Sequence, residues 1–151
     1  VKAARPAMPA TLASTAEVAS SSPSPALRSV NDGLVPADGN DRSIPYFHWW
    51  PKQGTTEWVS YTFPEPKRIE SATVYWYDDQ PWGGCKVPES WNIEYRTADG
   101  KWLSVPEADG YPVKKGSACT VNFTPVTANA VRLHVKQPEK FSCGLFEWTV
   151  K

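Results

Sequence analysis

The stretch SWNIEYR, residues 90–96, alternates apolar and polar side chains, and VRLHVK at 131–136 repeats this pattern. A period of two puts the apolar side chains on one face of a strand. Further strands are predicted at 58–63, 68–77 and 146–150, with shorter ones at 17–19, 102–105 and 118–123. Turn residues such as Ala98-Asp99-Gly100 separate them, and no amphipathic helix is found. The pattern predicts an all-β sandwich of about seven or eight strands.

The length of 151 residues suits one domain. Residues 1–10, VKAARPAMPA, have no periodicity and are predicted to be a linker or an artificial tail, which leaves 11–151 as the β-sandwich. The 16 basic and 16 acidic residues give no net charge, which argues against a nucleic-acid partner. No apolar run is long enough for membrane insertion.

Tryptophan is unusually frequent, with 8 residues in the chain. One core does not need this many indole rings, so some are expected at the surface, where an exposed ring usually has a stacking partner. The five that fall in predicted strands are expected in the core or on a sheet face: Trp58, Trp76, Trp91, Trp102 and Trp148.

The three cysteines form no CxxC pair, which argues against a zinc site. Cys119 falls in a predicted strand and is expected to be a buried free thiol. Cys85 and Cys143 lie in glycine-flanked loops, where a disulfide between them is one alternative and two free thiols the other.

The order of several short motifs resembles the coagulation factor 5/8 type C family, also called discoidin or galactose-binding-like domains. The motifs, in chain order, are Asn31-Asp32-Gly33, His48-Trp49-Trp50, Glu57-Trp58-Val59, Val74-Tyr75-Trp76-Tyr77-Asp78-Asp79, Gly83-Gly84-Cys85-Lys86-Val87-Pro88, Ser90-Trp91-Asn92-Ile93-Glu94-Tyr95, Gly100-Lys101-Trp102 and Gly144-Leu145-Phe146-Glu147-Trp148. The resemblance covers residues 12–151 and is greatest to domains attached to large bacterial glycoside hydrolases. It implies an eight-stranded jelly-roll sandwich, a ligand site on loops at one end, and often a structural calcium ion.

A sugar offers an apolar C–H face to an aromatic ring and hydroxyl groups to polar side chains. Two loops carry this mixture, at 46–50 and 78–86, and a third at 139–143 is expected beside them. Trp82, between a proline and two glycines, is the leading candidate for the stacking ring; the alternative is a ring folded back over the sandwich end. Trp49 and Trp50 are adjacent, so one is expected in the core and the other, Trp50, at the surface.

The predicted hydrogen-bonding groups are Asp78, Asp79 and Lys86, with His48 as a further donor and Phe141 as a secondary aromatic. Charged groups make stronger hydrogen bonds to hydroxyls than neutral groups do. The alternatives are an ordinary Asp–Lys surface pair and a histidine that only packs its loop.

Hard oxygen ligands for Ca²⁺ are available at Asp32, Asp38, Asn40, Asp41, Ser43 and Glu147. The resemblance matches best at Asp32, Ser43 and Glu147, whereas the long insert before His48 leaves the middle ligands open. The alternative is a network of Asx turns without metal.

No nucleophile motif, phosphate-binding loop or metalloprotease motif is present, so the chain is predicted not to be an enzyme. We expect a carbohydrate-binding module that holds its parent catalytic domain, in cis, near a plant cell-wall or pectic polysaccharide. A bacterial secreted, periplasmic or cell-surface location follows from this. The alternatives are a structural accessory domain that packs on the catalytic domain, and a discoidin-like adhesion domain.

Overall fold

A computed structural model describes residues 11–22 and 24–151, and the predicted linker at 1–10 lies outside this part of the chain. The described residues form two 3-10 helices, Leu12–Thr15 and Leu27–Asn31, and seven strands. The strands are β1 Glu17–Ser20, β2 Phe47–His48, β3 Thr56–Tyr77, β4 Ser90–Arg96, β5 Trp102–Ser104, β6 Cys119–Lys136 and β7 Gly144–Val150. All strand pairs between them are antiparallel, which confirms the all-β prediction.

The long strands β3 and β6 contribute to both layers of the sandwich. The first part of β3 pairs with β1 and with the end of β6, from Thr56↔Lys136 to Thr62↔Ala130. The second part pairs with the start of β6 and with β7. The two layers are therefore β1-β3-β6-β4-β5 and β6-β3-β7-β2, connected through the shared strands.

The eight predicted segments form six strands, because two pairs of them are continuous, and the short β2, which was not predicted, brings the number in the described residues to seven. The segments 58–63 and 68–77 both lie in β3, and 118–123 and 131–135 both belong to β6, except Ala118. The register shifts between Thr62 and Lys67, where Pro64 and Pro66 cannot donate to the ladder. These irregularities bend the strand without ending it.

The core lies between the layers and is rich in aromatic rings. Tyr61 of one layer stacks on Trp148 of the other, with ring centroids 4.0 Å apart. Trp76, Trp91 and Trp148 are buried as predicted. Strand β7 is buried on both faces, so the acidic side chain of Glu147 lies in the interior.

The remaining strand tryptophans, Trp58 and Trp102, lie half-buried on the outer face of a sheet. The guanidinium carbon of Arg132 lies 4.3 Å from the centroid of Trp102 and 5.8 Å from that of Trp58. Arg132 also donates to Glu94 at 2.7 Å. On this face, the Arg132 guanidinium therefore covers the Trp102 ring in a cation–π contact.

All three cysteines are buried and free, which confirms the prediction for Cys119. The alternative of a disulfide between Cys85 and Cys143 is not what the structure contains. Cys85 packs in a small cluster with Ile44, Tyr77 and Phe146, whereas Cys143 belongs to the main core. The two thiols thus belong to different apolar clusters.

The start of β1 and Lys151 lie at the opposite end of the sandwich from the predicted ligand loops. Glu17 pairs with Thr62, and Lys151 exchanges hydrogen bonds with Ser71, both near the bend of β3. The loops at 42–55, 78–89 and 137–143 adjoin the other ends of the same strands. The fold therefore holds these loops away from Glu17 and Lys151.

Candidate functional site

The three predicted loops meet at one end of the sandwich through backbone hydrogen bonds. The amide of Trp49 donates to the Cys143 carbonyl at 3.0 Å, and that of Lys86 donates to the Ser142 carbonyl at 2.9 Å. The Asp78 amide donates to the Gly39 carbonyl at 2.8 Å. These bonds hold the loops together as one surface.

A cavity of about 210 Å³ opens between the first two loops. Aromatic, cationic, anionic and imidazole groups line it together. The lining residues are Arg42, Tyr46, His48, Trp50, Tyr77, Asp79, Gly84 and Cys85.

Trp49 and Trp50 divide between core and surface as predicted. The Trp49 side chain is 1% exposed and packs against Phe47, whereas Trp50 is 48% exposed and lines the cavity. The Trp50 ring fills the space beside Gly84, where an added Cβ would lie 2.1 Å from a ring carbon. Glycine at 84 therefore allows the indole to form one wall of the cavity.

Arg42 and Tyr46 belong to the cavity, although the sequence prediction did not include them among the ligand residues. The Tyr46 and Tyr77 rings stack with centroids 3.9 Å apart, and the Arg42 guanidinium lies 5.8 and 5.6 Å from them. Arg42 Nε also donates to Asn40 Oδ1 at 2.9 Å. The signal available in the sequence was the position of Arg42 in a long polar loop, just before the aromatic segment.

The carboxylates of Asp78 and Asp79 are both buried and brace the second loop. Asp78 accepts hydrogen bonds from the amides of Gln80 and Val87, at 3.0 and 3.1 Å, and is not among the cavity-lining residues. Asp79 accepts from the Cys85 amide at 2.9 Å and the Tyr77 hydroxyl at 3.3 Å while also lining the cavity. Of the two, only Asp79 adjoins the space for a ligand.

His48 lines the cavity from β2, with its ring 5.7 Å from that of Tyr46. Partial burial lowers the pKa of His48, and the nearby Asp79 carboxylate opposes this shift. The imidazole is therefore neutral at neutral pH, with one nitrogen that donates and one that accepts.

Trp82, Lys86 and Phe141 lie outside the set of cavity-lining residues. The Trp82 side chain is 85% exposed, so it does not fold back over the sandwich. The Lys86 ammonium lies 5.2 Å from the centroid of the Phe141 ring, and no described residue forms an ion pair with Lys86. The predicted Asp–Lys surface pair is thus absent from the described part of the chain.

The predicted metal ligands separate into two places. Asp32 and Glu147 are close enough for a side-chain hydrogen bond, and the Gly33 amide donates to both Glu147 oxygens at 3.1 and 3.2 Å. Burial, followed by the interaction with Asp32, raises the pKa of Glu147 to about 10. Ser43 instead donates to Asp41 at 2.5 Å.

No group of three or more His, Cys, Asp or Glu side chains in the described residues is arranged to hold a metal ion. The adjacent carboxylates of the exposed Asp32 and the buried Glu147 nevertheless fit a Ca²⁺ ion, whose charge would replace the shared proton. Asp32 and Glu147 therefore fit part of such a site, while the structure gives Ser43 a different partner.

A family profile described as the NedA-like, galactose-binding domain of F5/8 type C matches residues 37–133. The chain belongs to this F5/8 type C family. The match includes every residue that lines the cavity, whereas Phe141 and Glu147 follow it.

Relatives of this F5/8 type C domain occur in bacterial glycoside hydrolases. An exo-β-1,6-galactobiohydrolase of Bifidobacterium longum is 30% identical over 112 residues, which are 64% of this chain and 7% of that enzyme. The domain therefore spans a small part of the curated relative that it matches.

Solved structures share the fold at lower identity. A chain of the Streptococcus pneumoniae β-galactosidase BgaA superposes with a TM-score of 0.76 at 18% identity, covering 99% of this chain and 98% of that one. The family 32 carbohydrate-binding module of Clostridium perfringens NanJ, solved with galactose, gives 0.68 at 18% identity, covering 93% and 96%. The jelly-roll β-sandwich is thus the shared architecture. No helix in the described residues is long and apolar enough to cross a membrane.

Proposed function

We propose that this domain is a non-catalytic carbohydrate-binding module whose cavity holds one sugar ring of the galactose type. The observation that carries the proposal is the convergence of Arg42, His48 and Asp79 on a cavity walled by the exposed Trp50 ring. The indole can stack on the C–H face of a sugar while the three polar groups reach its hydroxyls. The galactose found with the NanJ module supports the choice of sugar.

The polar groups of the cavity retain capacity for hydroxyl partners. Arg42 uses one N–H on Asn40 and one on Tyr46, which leaves three of about five donors free. The Asp79 carboxylate accepts two hydrogen bonds from the protein and has about four acceptor positions. Donors and an acceptor thus remain available around a bound ring.

The size of the cavity supports a single ring. Its volume of about 210 Å³ is below the roughly 300–1,000 Å³ of pockets that hold drug-sized ligands. A sugar at a chain end fits this space better than an internal unit with neighbours on both sides. Binding at one such site is expected to be weak, because the sugar exchanges water hydrogen bonds for protein ones.

The arrangement supports binding rather than hydrolysis. Most glycoside hydrolases use two carboxyl groups that flank the scissile bond. Among the described residues, Asp79 is the one carboxylate that lines the cavity, and it is engaged by Cys85 and Tyr77.

We further propose that the domain tethers a secreted or cell-surface bacterial glycoside hydrolase to a polysaccharide, with plant cell-wall or pectic glycans as candidates. Its match to 7% of a galactobiohydrolase supports attachment to a catalytic domain in cis. The cavity lies at the opposite end of the sandwich from the start of β1 and from Lys151, which leaves it free to face a substrate. Tethering raises the effective concentration of the catalytic domain at the polysaccharide.

Calorimetric titration with galactose and a glycan array test this function, with Arg42→Gln and His48→Ala as site variants. Each is expected to weaken binding by about tenfold or more, equivalent to about 1.4 kcal/mol. Arg68→Gln, an exposed arginine near the bend of β3, is the matched control and is expected to bind as the wild type does. Failure of the wild-type domain to bind any glycan would favour a structural accessory domain, and binding to phospholipid vesicles instead would favour a discoidin-like role.

We also propose that Asp32 and Glu147 hold a structural Ca²⁺ ion. The contact between the exposed Asp32 and the buried Glu147, with the Gly33 amide beside it, supports this assignment. The ion would neutralise the two carboxylates and tie the segment after the second 3-10 helix to β7.

A further inference from the structure

We infer that a second subsite, formed by Trp82 and Lys86, binds an acidic sugar next to the ring held in the cavity. The inference rests on the proposed function, because it concerns a glycan whose terminal ring already occupies the cavity. The ligand class is a uronic-acid-containing oligosaccharide.

The first argument is the position of Trp82. Its indole is 85% exposed at the tip of the second loop and is not part of the cavity lining. It is two residues from Gly84, which lies against Trp50 at the cavity wall. Gly83, the next residue, lies against the Asp79 carboxylate, so the backbone that carries Trp82 borders the cavity. The next unit of an oligosaccharide would extend over this backbone toward Trp82.

The loop that carries Trp82 is braced from within. The Trp82 amide donates to the Asp79 carbonyl at 2.8 Å, and Gln80 Nε2 donates to the carbonyls of Gly83 and Cys85 at 2.8 and 3.1 Å. A rigid loop holds the indole in solvent without a large entropy cost on binding. This preorganisation is typical of a stacking platform.

The second argument is the ammonium of Lys86, four residues further along the same loop. Its backbone amide is bonded to Ser142, and its ammonium lies against the Phe141 ring. No carboxylate in the described residues neutralises it. An exposed cation that lies against the half-buried Phe141 ring, without a carboxylate partner among the described residues, suits a sugar that carries a carboxylate.

The third argument is the charge of the whole loop end, in a chain with no net charge. Asp78 and Asp79 are buried, so in the segments 42–55, 78–89 and 137–143 the exposed cations outnumber the exposed anions by four to two. The cations are Arg42, Lys52, Lys86 and Lys140, and the anions are Glu89 and Glu139. Glu89 is paired with Lys136 at 3.1 Å, so the rim as a whole favours an anionic ligand.

The experiment compares disaccharides that differ in a single group. Each pair has a terminal galactose and a second ring of either glucose or glucuronic acid, joined by a β-1,3, β-1,4 or β-1,6 linkage. Calorimetric titration is expected to give about threefold to fivefold tighter binding of the acidic member for at least one linkage. This preference is expected to shrink from about 0.01 M to about 1 M salt, because salt screens exposed charges.

Two variants separate the subsite from the cavity. Lys86→Gln is expected to bring the ratio of acidic to neutral affinity to about one, while Lys101→Gln, at an exposed lysine just before β5 and outside the three loops, keeps the wild-type ratio. Trp82→Ala is expected to lower the ratio of disaccharide to galactose affinity. Leu103→Ala removes an exposed apolar side chain elsewhere and should leave that ratio unchanged.

The outcomes distinguish the two proposals. Equal binding of acidic and neutral disaccharides for every linkage would overturn the second subsite while galactose binding is intact. An equal loss of galactose and disaccharide affinity in Trp82→Ala would assign Trp82 to the primary site and also overturn it. Absence of galactose binding in the wild type would instead remove the proposed function on which the subsite rests.

Discussion

The indole ring of Trp50 lies where a side chain on Gly84 would have to be. A Cβ atom built on Gly84 comes within 2.1 Å of Trp50 Cζ3 and 2.5 Å of Cε3. These two residues belong to different loops, so the wall of the cavity depends on a contact between them. The absence of a side chain at position 84 is what lets the ring approach the second loop.

Gly84→Ala is therefore expected to displace the Trp50 ring and weaken galactose binding by about tenfold. A double-mutant cycle with Trp50→Ala tests whether the substitution at Gly84 weakens binding through the Trp50 ring. If Gly84 acts through Trp50, the double variant binds no more weakly than Trp50→Ala alone. Additive losses would mean that Gly84 affects binding by another route.

Asp79→Asn is expected to weaken both the fold of the second loop and the binding of sugar. The carboxylate accepts hydrogen bonds from the Cys85 amide and the Tyr77 hydroxyl, and the amide side chain has only one acceptor oxygen. Loss of one buried hydrogen bond should lower the free energy of unfolding by about 1–3 kcal/mol, measured by urea denaturation. Asp99→Asn, in the exposed turn between β4 and β5, is the control, and an equal effect there would count against a specific role for Asp79.

Sugar binding is expected to fall in acidic solution because of His48. Burial lowers the pKa of His48 below its ordinary value of 6.5, and the neutral ring can accept a hydrogen bond from a sugar hydroxyl. Arg42 lines the same cavity and disfavours a second positive charge, whereas Asp79 favours it. Affinity should therefore be constant above pH 6.5 and decrease as the pH falls through the lowered pKa.

The folded state should lose stability as the pH falls from 6.5 to the lowered pKa, because in this interval the unfolded chain binds a proton at His48 more readily than the folded chain does. An NMR titration of the His48 imidazole and calorimetric titration at several pH values test both expectations. His48→Gln should abolish the decrease in affinity with pH. A decrease that persists in this variant would assign the pH dependence to another group.

Calcium is expected to raise the thermal unfolding temperature of the wild-type domain. An ion that binds only the folded state adds about 2.7 kcal/mol when its free concentration is about 100 times Kd. Glu147→Gln should remove most of this effect, whereas Glu65→Gln, an exposed residue near the bend of β3, should retain it. Identical unfolding curves of the wild type in Ca²⁺ and in EGTA would contradict the metal site.

Much of the fold could be predicted from local patterns. The alternation in residues 90–96 and 131–136 identified β4 and the end of β6, because one face of each strand packs on the core. The number of strands could not be predicted from alternation. Pro64 and Pro66 look like an interruption of β3, yet the ladder to β6 resumes at Lys67 after the bend.

The candidate site was predicted in part. Trp82 was expected to be exposed because it lies between a proline and two glycines. Trp50 was expected to be exposed because only one of two adjacent rings, Trp49, would enter the core. Both prove to be exposed. Asp78 was expected beside the ligand, but its carboxylate accepts hydrogen bonds from the amides of its own loop. These partners depend on the path of the backbone, which the sequence pattern does not specify. Arg42 was missed because its role comes from the Tyr46–Tyr77 stack, which joins two segments distant in sequence.

The sequence by itself determined the all-β class, the two aromatic loops and the neutral charge balance, because these depend on side-chain type and local period. Only the tertiary structure decided which polar groups face the cavity, where the two carboxylates of Asp32 and Glu147 meet, and that Cys85 and Cys143 pack in separate clusters. The physical reason is that loop side chains form hydrogen bonds and packing contacts with whichever groups the folded chain places beside them. Those partners come from strands and loops far along the chain, and no local pattern specifies them.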